Sequence, residues 1–422
     1  MNKNLEILDD SQMEIIHSIE AGFNVFITGA GGVGKTVVAK AIKESLGDDL
    51  VVTASTGIAA LNCEGVTIHS FTGLVNFNEP ADKMVARIKA KSAVVDRIQS
   101  CQHLLIDEIS MLDGRYLDAL DVLFKSIKGV GTPMGGVQLI FIGDFLQLPP
   151  VCKYGSPTFA FQSKLWESAR FKEFNLTKIF RQSDLSTIRA LRHIRVGKVT
   201  DKVAEFYRRR VNAVDLNPEV EPVVLHSRNV DVDTFNEKRL LGLKDKIHTF
   251  HAEVTGEAPY RGNLIKNCMA PEQLKLAVGA QVMLLKNLST EDGLVNGAVG
   301  VVKSIDKYGF PKVQFNCGIT KLIDKTSTWR VKIKGVVVAS FTQLPLKLAW
   351  STTIHKSQGL TLDKVKISLK GCFADGQAYV ALSRARSIEG VFLDDFQPSF
   401  VKTSKQAYAF YRAIYERSNS MP

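Results

Sequence analysis

The sequence has little of what would make it a metal-stapled, disulfide-bonded or membrane-spanning chain. Its six cysteines, Cys63, Cys101, Cys152, Cys268, Cys317 and Cys372, are scattered through 422 residues, with no C-x-x-C pair and no histidine at metal-ligand spacing. That pattern excludes a zinc-ribbon or zinc-finger module and fits a reduced intracellular protein. No apolar run approaches the ~20 residues that cross a bilayer, and the opening stretch MNKNLEILDD is polar and acidic, unlike an export signal. Internal repeats and low-complexity tracts are lacking too, which argues against a solenoid or a disordered chain. Acidic residues are in deficit, 43 against 54 Lys and Arg, for a formal charge of +11. A basic surplus suits a polyanionic partner and reads equally well as plain solubility. A soluble, cytoplasmic protein without a membrane partner is expected.

What is present is ordinary globular material, 45% hydrophobic and 23% charged, enough for more than one core. The first half alternates short apolar strands, at 24–28, 51–54, 103–106 and 138–142, with amphipathic helical stretches, the pattern of a parallel α/β sheet. A basic helical stretch, DKMVARIKAKSAVVDRIQ, carries Lys83, Arg87, Lys89, Lys91 and Arg97 and reads as a small insertion. A second α/β lobe has a strand at 223–226, a helix starting near Asp231 and a strand at 364–369. Between its parts, VGVVKSI, PKVQF and WRVKIKGVVVASF alternate as in a small antiparallel barrel. The expected map is a first lobe over 1–185 with an insertion at 75–98, a second over 186–251 and 344–422, and a barrel-bearing insertion over 252–343.

The strongest local signal is GAGGVGKT (Gly29, Ala30, Gly31, Gly32, Val33, Gly34, Lys35, Thr36), set directly after the strand NVFIT and before a helical stretch. Backbone N–H groups of such a turn wrap phosphates at a helix N-terminus. The lysine reaches the β and γ oxygens, and the hydroxyl of Thr36 ligates magnesium. A glycine-rich stretch can also be only a turn, but here every fixed position and both flanking elements agree. LLIDEIS ends an apolar strand on Asp107 and Glu108. The first suits a metal-holding carboxylate and the second a base for the attacking water. GDFLQLPP brings Asp144 and Gln147 to a strand end, where Gln147 suits a sensor of the γ-phosphate or its water. Arg181 in LTKIFRQ and Arg384 in YVALSRAR are the guanidinium groups best suited to charge on a transferring phosphoryl group.

Taken in order, LDDSQMEII, GAGGVGKT, VTASTGIAALN, TIHSFTGL, LLIDEISML, GGVQLIFIGDFLQLPPV, LTKIFRQ, LVNGAVGVV, LAWSTTIHKSQGLTLD and YVALSRAR resemble superfamily 1B DNA helicases, most closely the Pif family (Pif-one type), with the RecD and phage Dda helicases as relatives. The matching segments span residues 8 to 386. The resemblance implies an α/β chain of two RecA-like P-loop lobes, with a small insertion in the first and an SH3-like β-barrel in the second. It implies ATP and Mg2+ as cofactors, and 5′-to-3′ translocation on single-stranded DNA with unwinding of forked or tailed duplex, by a monomer or by a dimer on DNA. Carried over by position, Gln12 reads the adenine. Lys35, Thr36, Asp107, Glu108, Gln147, Arg181 and Arg384 form the hydrolytic site, and Gln358 and Gly359 link nucleotide state to the second lobe. DNA contacts fall on Thr56, His69, Ser70 and Phe71 in the first lobe and on His355 and Lys356 in the second. By their own chemistry Phe71 reads equally as core, His69 as a turn residue and Thr56 as a helix cap. Lys325, Trp329, Arg330, Lys332 and Lys334 of the barrel suit a nucleic-acid channel, and Trp329 suits packing as well. The helix GRYLDALDVLFKSIKG has Lys125 and Lys128 where members near the eukaryotic proteins carry an arginine signature. From this a compact bacterial or phage form is expected.

Overall fold

The computed structural model describes residues 8–77, 79–150, 157–215, 219–227, 232–289, 291–333 and 335–419. Cys152, Asp231 and Lys334 lie outside them. The chain divides into two units, Met1–Phe180 with Arg330–Val338 and Lys405–Pro422, and Arg181–Trp329 with Ala339–Ser404.

In the first unit, strands β1 (Val25–Gly29), β2 (Leu50–Ala54), β3 (Val66–Thr67), β4 (His103–Asp107), β5 (Gln138–Ile142) and β6 (Lys172–Leu176) form one sheet in the order β3-β2-β4-β5-β1-β6. Every pairing is parallel. Helices α1 (Asp10–Glu20) and α2 (Lys35–Leu46) lie among the elements that flank it. Because both faces of such a sheet are covered, its central strands are continuous apolar runs rather than alternating ones. Val25, Phe26, Ile27, Leu104, Leu105, Ile106, Ile140 and Phe141 are all fully buried. The basic insertion is a pair of helices, Ala81–Lys89 and Ser92–Gln99, which bury Met84 with Ile88 and Val94 with Ile98, each pair one helical turn apart. Two of its cations are structural. Arg87 donates to Glu79 at 3.1 Å and Arg97 to the Ser70 carbonyl at 2.8 Å.

The second unit holds a shorter parallel sheet of Ser351–Thr353, Val223–His226, Val365–Ile367 and Val391–Leu393, in that order. It also holds a five-stranded antiparallel sheet of Thr320–Leu322, Pro311–Phe315, Val299–Ile305, Gln281–Leu284 and Leu346–Leu348. The interior of that sheet collects Val282, Leu284, Val302, Val313, Phe315 and Leu346. Trp329, on the strand Ser327–Ile333 of a separate three-stranded sheet, is buried, its ring 6.1 Å from that of Phe341 and 5.3 Å from the Lys286 ammonium.

The C-terminal helix Lys405–Asn419 groups with the first unit, whereas the sequence map set 344–422 in the second lobe. The reason is an aromatic cluster. Phe410 stacks on Phe161 at 4.3 Å and lies 5.6 Å from Phe145 and 5.9 Å from Trp166. Aromatic pairs in such tilted and stacked arrangements contribute about 0.5–1.5 kcal/mol each beyond the area they bury, which ties the helix to the first unit. No helix among the described residues is long and apolar enough to cross a membrane.

Candidate functional site

A parallel sheet gathers the C-terminal ends of its strands on one edge, and the loops leaving that edge are where ligands bind in such folds. The end of β1 runs into the Gly29–Thr36 turn, that of β4 into Asp107–Glu108 and that of β5 into Gly143–Gln147. The structure therefore brings the predicted phosphate loop, the acidic pair and the glutamine loop together.

Gly34 opens α2 in a left-handed conformation, φ 87° and ψ 13°. A Cβ there would meet Gln12 Nε2 at 3.2 Å and the Phe180 ring at 3.5 Å, so both side chains lie directly on the phosphate loop. Gln12 is only 4% exposed, and its Oε1 accepts from the Asp9 N–H at 3.2 Å in a capping box at the start of α1. The Lys35 ammonium donates to the carbonyls of Gly29 at 2.7 Å and Ala30 at 3.0 Å. Burial pushes the Asp107 carboxyl up to about 6, against the opposing pull of the Glu108 N–H and the Lys35 charge. Glu108 itself sits in the left-handed region, φ 52° and ψ 43°. Gln147 is buried and its amide donates to the Asp144 carboxylate at 3.1 Å.

Thr36 supplies a hydroxyl and Asp107 a carboxylate oxygen, and no cluster of three or more His, Cys, Asp or Glu side chains that could hold a metal occurs among the described residues. A few hard oxygen donors are what Mg2+ asks of a protein when phosphate and water complete its shell, so the residues present fit that ion.

In the second unit the arginines are held by their own neighbours. Arg181 donates to Thr361 Oγ1 at 3.0 Å and to the Ser383 carbonyl at 3.2 Å, and burial lowers its pKa from the usual guanidinium value. Arg384 is 1% exposed, with donors on the carbonyls of Val380 at 2.8 Å, Ser357 at 3.5 Å and Leu360 at 3.4 Å. The last two carbonyls flank Gln358 and Gly359, so Arg384 secures that turn. Lys356 is exposed and His355 half-buried at the start of the same turn.

Of the expected DNA contacts in the first unit, Thr56 caps helix α3 (Gly57–Asn62), accepting from the Ala59 N–H at 3.3 Å. His69 is half-buried, 4.5 Å ring to ring from Tyr116, and burial lowers its pKa; Ser70 is also half-buried. Phe71 is fully buried with Arg97 5.6 Å from its ring centroid, so it packs in the core and offers no stacking face here.

Two residues at this edge were not foreseen. Phe180 is 57% exposed beside Gln12 and Gly34, and its N–H donates to the Gly32 carbonyl at 2.8 Å. Tyr411 of the C-terminal helix hydrogen-bonds Thr28 Oγ1 at 2.6 Å, one residue before the phosphate loop, and accepts from the Phe145 N–H at 3.0 Å in the glutamine loop. An aromatic next to Arg181 was visible in the sequence. Nothing in the sequence could say that residue 411 folds back onto residue 28.

Fold and site define a P-loop protein with RecA-like α/β units. The model of the PIF1-like helicase family matches residues 7–204, and that of the DNA helicase Pif1 2B domain matches residues 260–305. The human ATP-dependent DNA helicase PIF1 is 40% identical over 411 residues, 96% of this chain and 64% of that protein. Bacteroides Pif1 in complex with ADP-AlF4 is 32% identical, with a TM-score of 0.84 and 98% of each chain covered. Bacteroides Pif1 bound to single-stranded DNA is 31% identical, with a TM-score of 0.65 and the same coverage. The chain belongs to the PIF1-like helicase family. It spans 56–64% of the length of the human protein and other curated relatives it matches.

The expectation of a cytoplasmic protein of bacterial or phage origin is overturned: vertebrate PIF1 helicases are 39–40% identical to the chain, and the Bacteroides proteins 31–32%. The two lysines behind that expectation have local roles. Lys125 pairs with Asp121 at 2.6 Å one turn away, and Lys128 donates to the carbonyls of Gln99 and Cys101 at 3.0 and 2.9 Å.

Proposed function

We propose that the chain is an ATP-dependent DNA helicase that moves 5′-to-3′ along single-stranded DNA and opens forked or tailed duplexes in DNA replication, repair or recombination. It works as a monomer or as two copies on one DNA. The observation that carries this reading is the meeting of Lys35, Asp107–Glu108 and Gln147 at one sheet edge, in a chain whose relatives include one described with ADP-AlF4 and one with single-stranded DNA.

The N–H groups of Gly29 to Thr36 and the Lys35 ammonium hold the phosphates; Lys35 needs only to exchange two loop carbonyls for phosphate oxygens. Gln12 reads the adenine edge, and the exposed Phe180 ring offers it a face. Thr36 and Asp107 hold Mg2+, which when bound neutralises phosphate charge and keeps the Asp107 carboxyl ionised. Glu108 takes the proton of the attacking water, and Gln147 orients that water once it releases Asp144. Arg181 and Arg384 are the guanidinium groups assigned to the γ-phosphate, and Gln358 with Gly359 passes nucleotide state along the turn that Arg384 secures. Thr56, His69, Ser70, His355 and Lys356 contact the DNA backbone and bases.

Steady-state phosphate release with and without single-stranded DNA tests the assignment. DNA should stimulate hydrolysis strongly in the wild type, and Lys35→Ala should abolish it. Normal turnover by Lys35→Ala would refute the site.

A further inference from the structure

Glu108 is the residue of the site with the least comfortable backbone. A non-glycine side chain in the left-handed region is strained, and such strain persists only where surrounding contacts over-determine it. Three contacts do so here. The Glu108 N–H donates to the Asp107 carboxylate at 2.8 Å. Gly143 passes so close to the next turn that a Cβ there would lie 2.9 Å from Ile109 Cγ2 and 3.1 Å from the Ile109 nitrogen. The Ser55 hydroxyl donates to the Glu108 carbonyl at 2.7 Å.

Ser55 differs from the other two in where it comes from. It follows β2, whose last residue Ala54 pairs with Asp107, and its own N–H donates to the Asp107 carbonyl at 3.1 Å. The next residue is Thr56, whose hydroxyl caps α3 and which carries the proposed contact with the DNA backbone. A DNA phosphate held by Thr56 therefore acts one peptide unit away from the hydrogen bond that fixes Glu108.

We propose that Ser55 is a positioning residue that ties the Thr56 turn to Glu108, so that DNA held at Thr56 sets the carboxylate where it takes the proton of the attacking water. This rests on the reading of Thr56 and Glu108 given above. Ser55 touches neither nucleotide nor DNA in this scheme; it acts through the Glu108 carbonyl. Ser55 is half-buried, and Ser55→Thr keeps the donating hydroxyl.

The test compares wild type, Ser55→Ala and Ser55→Thr as the full chain. It measures kcat and KM for ATP at saturating single-stranded DNA, DNA affinity by fluorescence anisotropy, and thermal midpoint. Ser55→Ala should lose about tenfold in kcat, the scale of a base displaced by a fraction of an ångström. Its KM, DNA affinity and thermal midpoint should stay at wild-type values, and Ser55→Thr should retain most of the rate. A wild-type kcat in Ser55→Ala overturns the proposal. So does a loss that comes with a lowered thermal midpoint and is not rescued in Ser55→Thr, since that describes a merely structural serine. A wild-type chain without DNA-stimulated hydrolysis would instead sink the helicase reading itself, which separates the two failures.

Discussion

Replacing Tyr411 by Phe removes one oxygen from a helix near the end of the sequence and should be felt at the phosphate loop. The hydroxyl serves two groups at once, Thr28 Oγ1 at 2.6 Å and the Phe145 N–H at 3.0 Å. Thr28 is 0% exposed and Phe145 1%, so neither finds bulk water when the phenol is gone. A buried polar group left without its partner costs about 1–3 kcal/mol. Tyr411 is itself only half-buried and the Thr28 hydroxyl can rotate, so we take the low end for each and expect a loss of about 2 kcal/mol for the pair. The ring stays, and with it the aromatic packing of the helix. Trp166, 5.9 Å from Phe410, reports this region; with Trp329 and Trp350 changed to Phe it is the last of the chain's three tryptophans. Urea unfolding followed by Trp166 fluorescence should show a lower midpoint with unchanged slope. ATP hydrolysis should fall as well, because Thr28 precedes Gly29 and Phe145 precedes Gln147 by two positions. A midpoint equal to wild type would mean that Tyr411 does not hold these loops.

Further outcomes follow from the same geometry. Glu108→Gln should lower kcat for ATP about 10²–10⁴-fold, the usual contribution of a general base, while a fluorescent nucleotide still binds with wild-type affinity; loss of binding would place Glu108 in nucleotide capture instead. Lys356→Ala should reduce the slope of log K for single-stranded DNA against log salt by about 0.7, one phosphate contact fewer. His355→Ala should weaken binding at pH 7.5 without changing that slope, because burial holds the His355 ring below its usual 6.5 and it is neutral there. Only when the pH falls through that lowered value does His355 gain a charge, so the slope should steepen in acid more for the wild type than for His355→Ala, which keeps only the charge that His69 gains in the same way. An equal slope change for the two variants at pH 7.5 would contradict the assignment.

Much of this was legible in the sequence because parallel strands buried on both faces are written as uninterrupted apolar runs. Residues 138–142 and 223–226 are strands as expected; those at 50–54 and 103–107 depart from expectation by a single residue at one end, and that at 25–29 is shifted by one residue at both. Edge strands escaped. Lys172–Leu176 (KEFNL) is half polar and partly exposed, and Ser351–Thr353 and Val391–Leu393 are too short to carry a period. The phosphate loop and acidic pair were legible since their chemistry lies in contiguous residues. The roles of Ser55, Phe180 and Tyr411 were not, since each depends on a partner between 53 and 383 positions away, or on a surface that exists only once the sheet has formed. Phe71 is the intermediate case: its chemistry reads equally as core or as a stacking face, and only its burial in the fold decides for core.

Strand separation on two tailed duplexes is the most direct test of the central claim. One substrate carries a single-stranded 5′ tail and the other a 3′ tail of the same sequence composition, with ATP and Mg2+ supplied to both. The account predicts release of the displaced strand from the 5′-tailed duplex alone, and none with Lys35→Ala. Unwinding of the 3′-tailed duplex only, or hydrolysis with no strand released from either, would contradict it.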